Sequence, residues 1–331
     1  DYFGYLDYSE LENIELSNNR NRLDIAIGRL TIDNISQAKG VVDKIINYNT
    51  ANTMKDWRNN LCFVADDEDN NLHYNQVEQL TALTSIEDKD YYNFDKIYLD
   101  AYTQENAAGG DRYTTVNDAI LRKIKTGAFL INYTDHGDIR ALDNIDNLPL
   151  FITATCDFSS YDDVDFHSAG ESLITNEKGG AIALFTTTRV VYAYENFLMN
   201  SEILDFLFQD INGRKPTLGE IVMQAKNTAT QSTNNRKFVL LGDPALTLAY
   251  PKYDVITTKV NSVPVNVQLD TLKALERVKI EGEVHNLGGN LLSNFNGVIY
   301  PTVFDNIGEY QTKGQDLGNG GSQVANFELR Y

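Results

Sequence analysis

The sequence predicts an α/β fold, a mainly parallel sheet flanked by helices, followed by a partial immunoglobulin-like β-sandwich. Three observations lead there. Five short apolar runs read as strands covered on both faces: "LCFVA" (61–65), "KIYLDA" (96–101), "AFLINY" (128–133), "LFITAT" (150–155) and "AIALFT" (181–186). Helical patterns alternate with them, which is how chains that build parallel sheets are written. After "GDPALTLAYPKYD" (242–254) the helical spacing stops, and apolar and polar residues alternate instead.

From Asn34 to Tyr48 a helix is expected, with Ile35, Ala38, Val41, Val42, Ile45 and Ile46 on one face and Asn34 and Gln37 at capping-box spacing. Thr114 to Lys125 repeats the pattern with Val116, Ala119, Ile120 and Ile124, and Gly127 follows as a C-terminal cap. Further helices are predicted over 169–176, 196–209 and 218–230. In the tail, "VKIEGEV" (278–284) and "NGVIYPTVFD" (296–305) read as strands around a turn at "NLGGN" (286–290). A boundary near Pro251 divides the chain into domains 1–250 and 251–331. Both ends are expected to be cuts in a longer protein, because "DYFGYLDYSE" reads as chain interior and "ANFELRY" stops inside an alternating pattern.

One connection is short. Parallel neighbours need a crossover of about a dozen residues or more, and "DHGDIRALDNIDNLPL" is all that joins the runs ending at Tyr133 and Thr155. The sequence therefore predicts either missing residues or a weakly ordered loop between Asp138 and Asn147.

The 331 residues are 42% hydrophobic, enough for a sizeable core. A net charge of -19 and a pI near 4.5 argue against nucleic acid or anionic lipid as a partner. No apolar run reaches membrane-spanning length and the first residues lack a signal-peptide pattern, so membrane attachment is expected through a partner. Two cysteines, Cys62 and Cys156, make no disulfide scaffold and leave the compartment open.

Two apolar runs stop on reactive side chains, His136 and Cys156. Active sites of parallel α/β sheets form at the carboxyl ends of strands, so the pair is expected to face one cleft. A thiolate needs a nearby imidazole to ionise it and later to protonate a leaving amine, and the Gly137 amide is placed to donate to an oxyanion. Against this stands the plainer reading, a buried core thiol and a hydrogen-bonded loop histidine; spacing alone leaves the two even. Cys62, inside "NLCFVAD", reads as core. The other histidines, His73, His167 and His285, sit at no recognised metal-ligand spacing.

"GAFLINYTDHG", "LPLFITATCDFSSYDD", "SAGESLITNEKGGAIALFTTTRVVY" and "LLGDPALTLAYP" together resemble the gingipain-type cysteine peptidases, a family with the caspase-like fold. "DYFGYLD", "DIAIGRL", "FVADDEDNNLH", "DKIYLDAY" and "NNRKFVLLGDPAL" carry the resemblance across most of 1–250, strongest toward the family's sortase branch in type IX secretion. The resemblance implies His136 as catalytic histidine and Cys156 as nucleophile. It implies a place on the outer-membrane surface, held by a PorV-like β-barrel, with cargo proteins bearing C-terminal signal domains as substrates and lipopolysaccharide as acceptor. The alternatives are a secreted gingipain-like protease and a catalytically silent scaffold that binds cargo. Where the family commonly has "TGHGG", this chain has "TDHGD", so Asp135 and Asp138 stand in place of glycines.

No cofactor is expected to be required. Calcium as a structural ion is admitted by the resemblance, but "ADDEDNN" (65–71) lacks the spacing of a calcium loop and reads as a solvated acidic turn. Asp100, at a predicted strand end, is a candidate to orient the histidine and equally a loop-capping aspartate. "GGDRY" (109–113) lacks the lysine of a phosphate loop.

Overall fold

The computed structural model describes residues 2–6, 22–83, 92–107, 110–134, 144–229, 233–267, 271–273, 275–299, 301–315 and 323–329. They fall into two compact units, 1–249 together with 304–331, and 250–303. The expected switch near Pro251 coincides with the start of the second unit. Residues 304–331, which the sequence assigned to the β tail, instead group with the large unit.

In the large unit six strands form one sheet: β1 (Asn60–Ala65), β2 (Asn93–Tyr98), β5 (Leu130–Thr134), β6 (Leu150–Thr153), β7 (Ala183–Thr187) and β8 (Phe238–Leu241), in the order β2-β1-β5-β6-β7-β8. All neighbouring pairs are parallel except β7 with β8. The central strands are buried along their whole length, which explains why their sequences are continuous apolar runs. The second run begins earlier than expected and ends at Tyr98, the chain then turning through a short 3-10 segment over Leu99–Ala101.

Helices α1 (Ile35–Tyr48), α3 (Thr114–Thr126), α4 (Ala169–Thr175), α5 (Ala193–Phe208) and α6 (Leu218–Thr228) lie where the periodicity puts them. Asn34 caps α1 by accepting from the Gln37 amide, and Gly127 ends α3 at φ 96°, a left-handed conformation suited to glycine. The buried face of α1 differs from the expectation. Gly40, Val41, Lys44 and Tyr48 turn inward, while Ile35, Val42 and Ile46 are exposed. Lys44 is the cause: its Nζ donates to the carbonyls of Ile174, Gly179 and Ala181, tying α1 to the end of α4.

One further helix, α2 (Glu68–Thr81), was not expected. It occupies the acidic run, whose Asp69, Asn70 and Asn71 adopt left-handed φ values of 53°, 57° and 61° before the regular turns begin. Asp66 and Asp67 are buried, so the solvated-turn reading does not hold.

Two antiparallel pairs complete this unit, β3 (Glu105–Ala107) with β4 (Gly110–Arg112) and β12 (Gly308–Gln311) with β13 (Asn326–Leu329). The second unit is a three-stranded antiparallel sheet in the order β10-β9-β11, formed by β9 (Tyr253–Val260), β10 (Val263–Pro264) and β11 (Ile280–Asn286). The described residues of 296–305 form no strand, unlike the sequence reading. No helix among the described residues is long and apolar enough to cross a membrane.

Candidate active site

β5 and β6 are parallel neighbours, with Tyr133 opposite Thr153. The Ala154 amide donates to the Tyr133 carbonyl at 2.9 Å, so the pairing continues one residue beyond β6. Two residues later comes Cys156, exposed, its thiol donating to the Val191 carbonyl at 3.6 Å. Asp157 follows at φ 51°, a left-handed conformation uncommon outside glycine, asparagine and aspartate. A sharp turn thus lifts the sulfur off the strand end and into solvent. The plainer reading, a core thiol, does not describe Cys156. It does describe Cys62, which is fully buried and whose pKa is pushed up by burial and by the Asp95 charge.

The turn rests on hydroxyl groups. Thr153 Oγ1 donates to Thr186 Oγ1 at 2.7 Å, and Thr186 Oγ1 also meets Ser159 Oγ at 2.8 Å, all three residues being fully buried. Thr187 Oγ1 donates to the Thr155 carbonyl, and the Ser159 amide to the Thr187 carbonyl at 2.9 Å. Helix α4 closes against this network without a side chain in the way. The Gly170 amide donates to the Phe158 carbonyl at 3.1 Å, and the Ser168 and Glu171 pair forms the capping box that starts the helix. A buried polar network satisfied in this way holds one geometry, because each lost partner would leave a desolvated group behind.

An open pocket of about 530 Å³ is lined by Asp157, Ser160, Asp162, Asp163, Val164 and Arg189, its lining beginning at the residue after the cysteine. Arg189 grips Asp162 through both guanidinium arms, at 2.9 and 2.6 Å.

His136 and Gly137, the other two expected site residues, lie outside the described residues, as does most of the short connection at 138–143. β5, the strand that leads to them, ends at Thr134 on the same edge of the sheet as β6. Beyond 143, the side chains of Asn144 and Asn147 donate to the carbonyls of Lys125 and Thr126 at the end of α3.

Among the described residues, Asp100 is bound by backbone amides. Its carboxylate accepts the amides of Gly314 at 2.6 Å and Gln315 at 3.0 Å, and its carbonyl accepts the Lys313 amide at 2.8 Å. Of the two readings, loop capping is the one the geometry supports. The sequence reading missed a different acidic group on this edge. Asp66, just past β1, faces His73 of α2 at 3.1 Å with both side chains buried, and its amide donates to the Thr134 carbonyl at 3.3 Å. The available signal was an aspartate closing an apolar run, followed seven positions later by histidine. Burial raises the pKa of Asp67, which Tyr113 contacts through its hydroxyl. Asp66 and Asp67 therefore point at His73 and Tyr113. Among the described residues no group of three or more His, Cys, Asp or Glu side chains gathers as a metal site.

An exposed cysteine at the carboxyl edge of a largely parallel sheet, with a hydroxyl network beneath it, is the frame of an α/β cysteine peptidase. The family model described as peptidase family C25 matches residues 1–249, and the chain belongs to that family. The resemblance to the gingipains read from the sequence is borne out. Among solved structures, the Arg-specific cysteine proteinase gingipain R (RgpB) matches with 17% identity and a TM-score of 0.57, over 73% of this chain and 60% of that one. The complex of the Porphyromonas gingivalis RgpB pro- and mature domains matches with 18% identity and a TM-score of 0.57, over 76% and 64%. At those identities the likeness shows the fold, and the chain spans about three fifths of the length of the gingipain structures it matches. Dimeric latent PorU from Porphyromonas gingivalis aligns over 98% of this chain and 26% of that one, with 20% identity, but its TM-score of 0.37 carries no argument. No curated protein matches the sequence.

Proposed function

We propose that the chain is the peptidase portion of a PorU-type sortase, a cysteine endopeptidase and transpeptidase of type IX secretion. Its substrates are cargo proteins, from which it removes the C-terminal signal domain before joining the new carboxyl end to a lipopolysaccharide acceptor at the cell surface. The observation that carries the reading is the exposed thiol of Cys156, set on a sharp turn at the carboxyl edge of the sheet beside the strand that leads into His136. The finer assignment rests on the sequence resemblance.

In this mechanism His136 takes the thiol proton, and the sulfur of Cys156 attacks the scissile carbonyl carbon. The carbonyl π pair moves onto oxygen, where the Gly137 amide donates to it. As the oxyanion collapses, the C–N bond breaks and His136 returns the proton to the departing amine, which leaves with the signal domain. The cargo remains as a thioester. An incoming amine loses its proton to His136 and displaces the thiolate, forming an amide; water in its place yields a free acid. Positioning of the amine decides between the two. A PorV-like β-barrel holds the enzyme on the extracellular face of the outer membrane, and calcium, where present, serves structure alone.

The test is mass spectrometry of cargo from cells carrying Cys156→Ala. Retained signal domain supports the reading; normal removal overturns it. Supplying purified full-length enzyme with cargo and a glycine peptide separates the sortase from the second reading, a secreted gingipain-like hydrolase favoured by the family match. Products ending only in free carboxyl groups, at every amine concentration, reduce the protein to that hydrolase. Failure of a thiol-directed probe to label native protein would favour the silent cargo-binding scaffold.

A further inference from the structure

We propose that Arg189 is a positioning residue for the nucleophile, clamping the loop 157–163 so that Cys156 is presented in one orientation. The proposal rests on the reading of Cys156 as nucleophile.

Among the described residues, the last ladder bond to β5 is made by the Ala154 amide, two residues before Cys156. Within the turn beyond Ala154, Asp157 adopts a conformation that few side chains favour. The segment after β7 supplies the hold. The Arg189 carbonyl accepts the Asp157 amide at 3.4 Å, and two residues on, the Val191 carbonyl accepts the thiol. The Arg189 side chain then reaches across the loop to Asp162 with both arms, while Nη1 also donates to the Thr188 carbonyl at 2.6 Å. One residue therefore touches the nucleophile turn twice, by backbone at its start and by side chain at its far end. The loop is staked from another direction by Arg29, whose guanidinium lies 4.4 Å from the centre of the Tyr161 ring. The same Arg189 and Asp162 line the open pocket together with Asp157, the residue after the cysteine.

Arg189 and Asp162 are about half exposed, and exposed ion pairs contribute little to global stability. Geometry is a different matter: a displacement of about 1 Å near reacting atoms costs on the order of a hundredfold in rate. The clamp should thus act on reactivity without acting on folding, and the two separate in experiment.

The test compares Arg189→Ala, Asp162→Ala, the double variant and Arg189→Lys in the full-length protein. Three quantities are read: the iodoacetamide alkylation rate of Cys156, kcat and KM on a cargo peptide, and Tm. The expected result is a fall in alkylation and kcat on the order of tenfold to a hundredfold, with KM and Tm nearly unchanged. The double variant should be no slower than the worse single one, since both remove the same contact. Arg189→Lys keeps the charge but loses the two-armed grip, so it should fall between Arg189→Ala and wild type. Rates within about twofold of wild type, additive losses in the double variant, or rate losses that track a falling Tm would each overturn the proposal. Alkylation needs no substrate. If Cys156→Ala retained peptidase activity, the nucleophile reading would fail while the alkylation series still judged the clamp.

Discussion

Replacing Gly170 by alanine tests whether the nucleophile turn is held by close packing against α4. A methyl group at this position would lie 1.8 Å from Ser159 Oγ and 2.8 Å from its Cβ, where ordinary contact begins at 3.4 Å. The backbone of Gly170 is not left-handed, so the obstacle is purely steric. Ser159 cannot simply swing away, because its hydroxyl is bonded to Thr186 Oγ1 and its amide to the Thr187 carbonyl. Overpacking of this kind costs about 1–3 kcal/mol, and breaking the hydroxyl bond adds about 1 kcal/mol. Alanine recovers at most about 1 kcal/mol through its better helix propensity. The expected net loss is about 1–3 kcal/mol, read by guanidinium unfolding with the fluorescence of Trp57, the only tryptophan and a buried residue of the same unit. Alkylation of Cys156 should slow as well, because the displaced Ser159 lies three residues from the thiol. Adding Ser159→Gly should make the second loss smaller than the sum, since the two groups compete for one space. A Gly170→Ala protein as stable as wild type, with unchanged thiol reactivity, would refute the packing argument.

Titration of native protein with a thiol reagent should label one cysteine quickly, Cys156, and the second only in denaturant, because Cys62 is buried with a raised pKa; two fast thiols would contradict the fold. Thr186→Val should cost about 1–3 kcal/mol, since it strands the buried hydroxyls of Thr153 and Ser159. Burial lowers the Lys44 pKa to about 7 from 10.5, so between those values the unfolded chain binds more protons than the folded one and stability rises with pH. The contribution is present above the unfolded value and lost as pH falls through the folded one. The stability of wild type relative to Lys44→Met should therefore rise from pH 7 to 10, and a constant difference would show that the lysine keeps its ordinary pKa. Asp100→Ala should speed amide hydrogen exchange at Gly314 and Gln315 on the order of tenfold, with Cys156 alkylation unchanged; slowed alkylation would return Asp100 to the active site.

β8 was not among the expected runs; five of the six sheet strands were legible because a strand covered by the core is written as an uninterrupted apolar run, and only their ends shifted. Helix α2 was not, for a local reason: its first residues, Asp69 to Asn71, are left-handed and polar, and its inward face includes His73 and Gln76 alongside Tyr74, Val77 and Leu80. An amphipathic pattern counts apolar residues, so a face built partly on buried polar partners is invisible to it. The rotated face of α1 has the same origin, since Lys44 is buried by three carbonyls that no periodicity announces. Cys156 could be found because a cysteine ends an apolar run, whereas Arg189 lies on another strand end and enters the site only through the parallel pairing of β6 with β7.

The fate of Asp100 shows what position at a strand end can and cannot settle. Asp66 and Asp100 close neighbouring strands of one sheet edge, and by sequence either could serve an imidazole. Their partners separate them. Asp100 is consumed by backbone amides that arrive 214 and 215 residues later in the chain, a carboxylate accepting two amides and fixing a segment in place. Asp66 is set against an imidazole, and its amide is bonded to the end of β5, the strand that runs on toward His136. Among the described residues, then, one carboxylate faces an imidazole, which it can orient, while the other accepts backbone amides and fixes the segment that carries them. Distinguishing the two required the long-range contact, because the residue type, the preceding apolar run and the position at the carboxyl edge are the same in both.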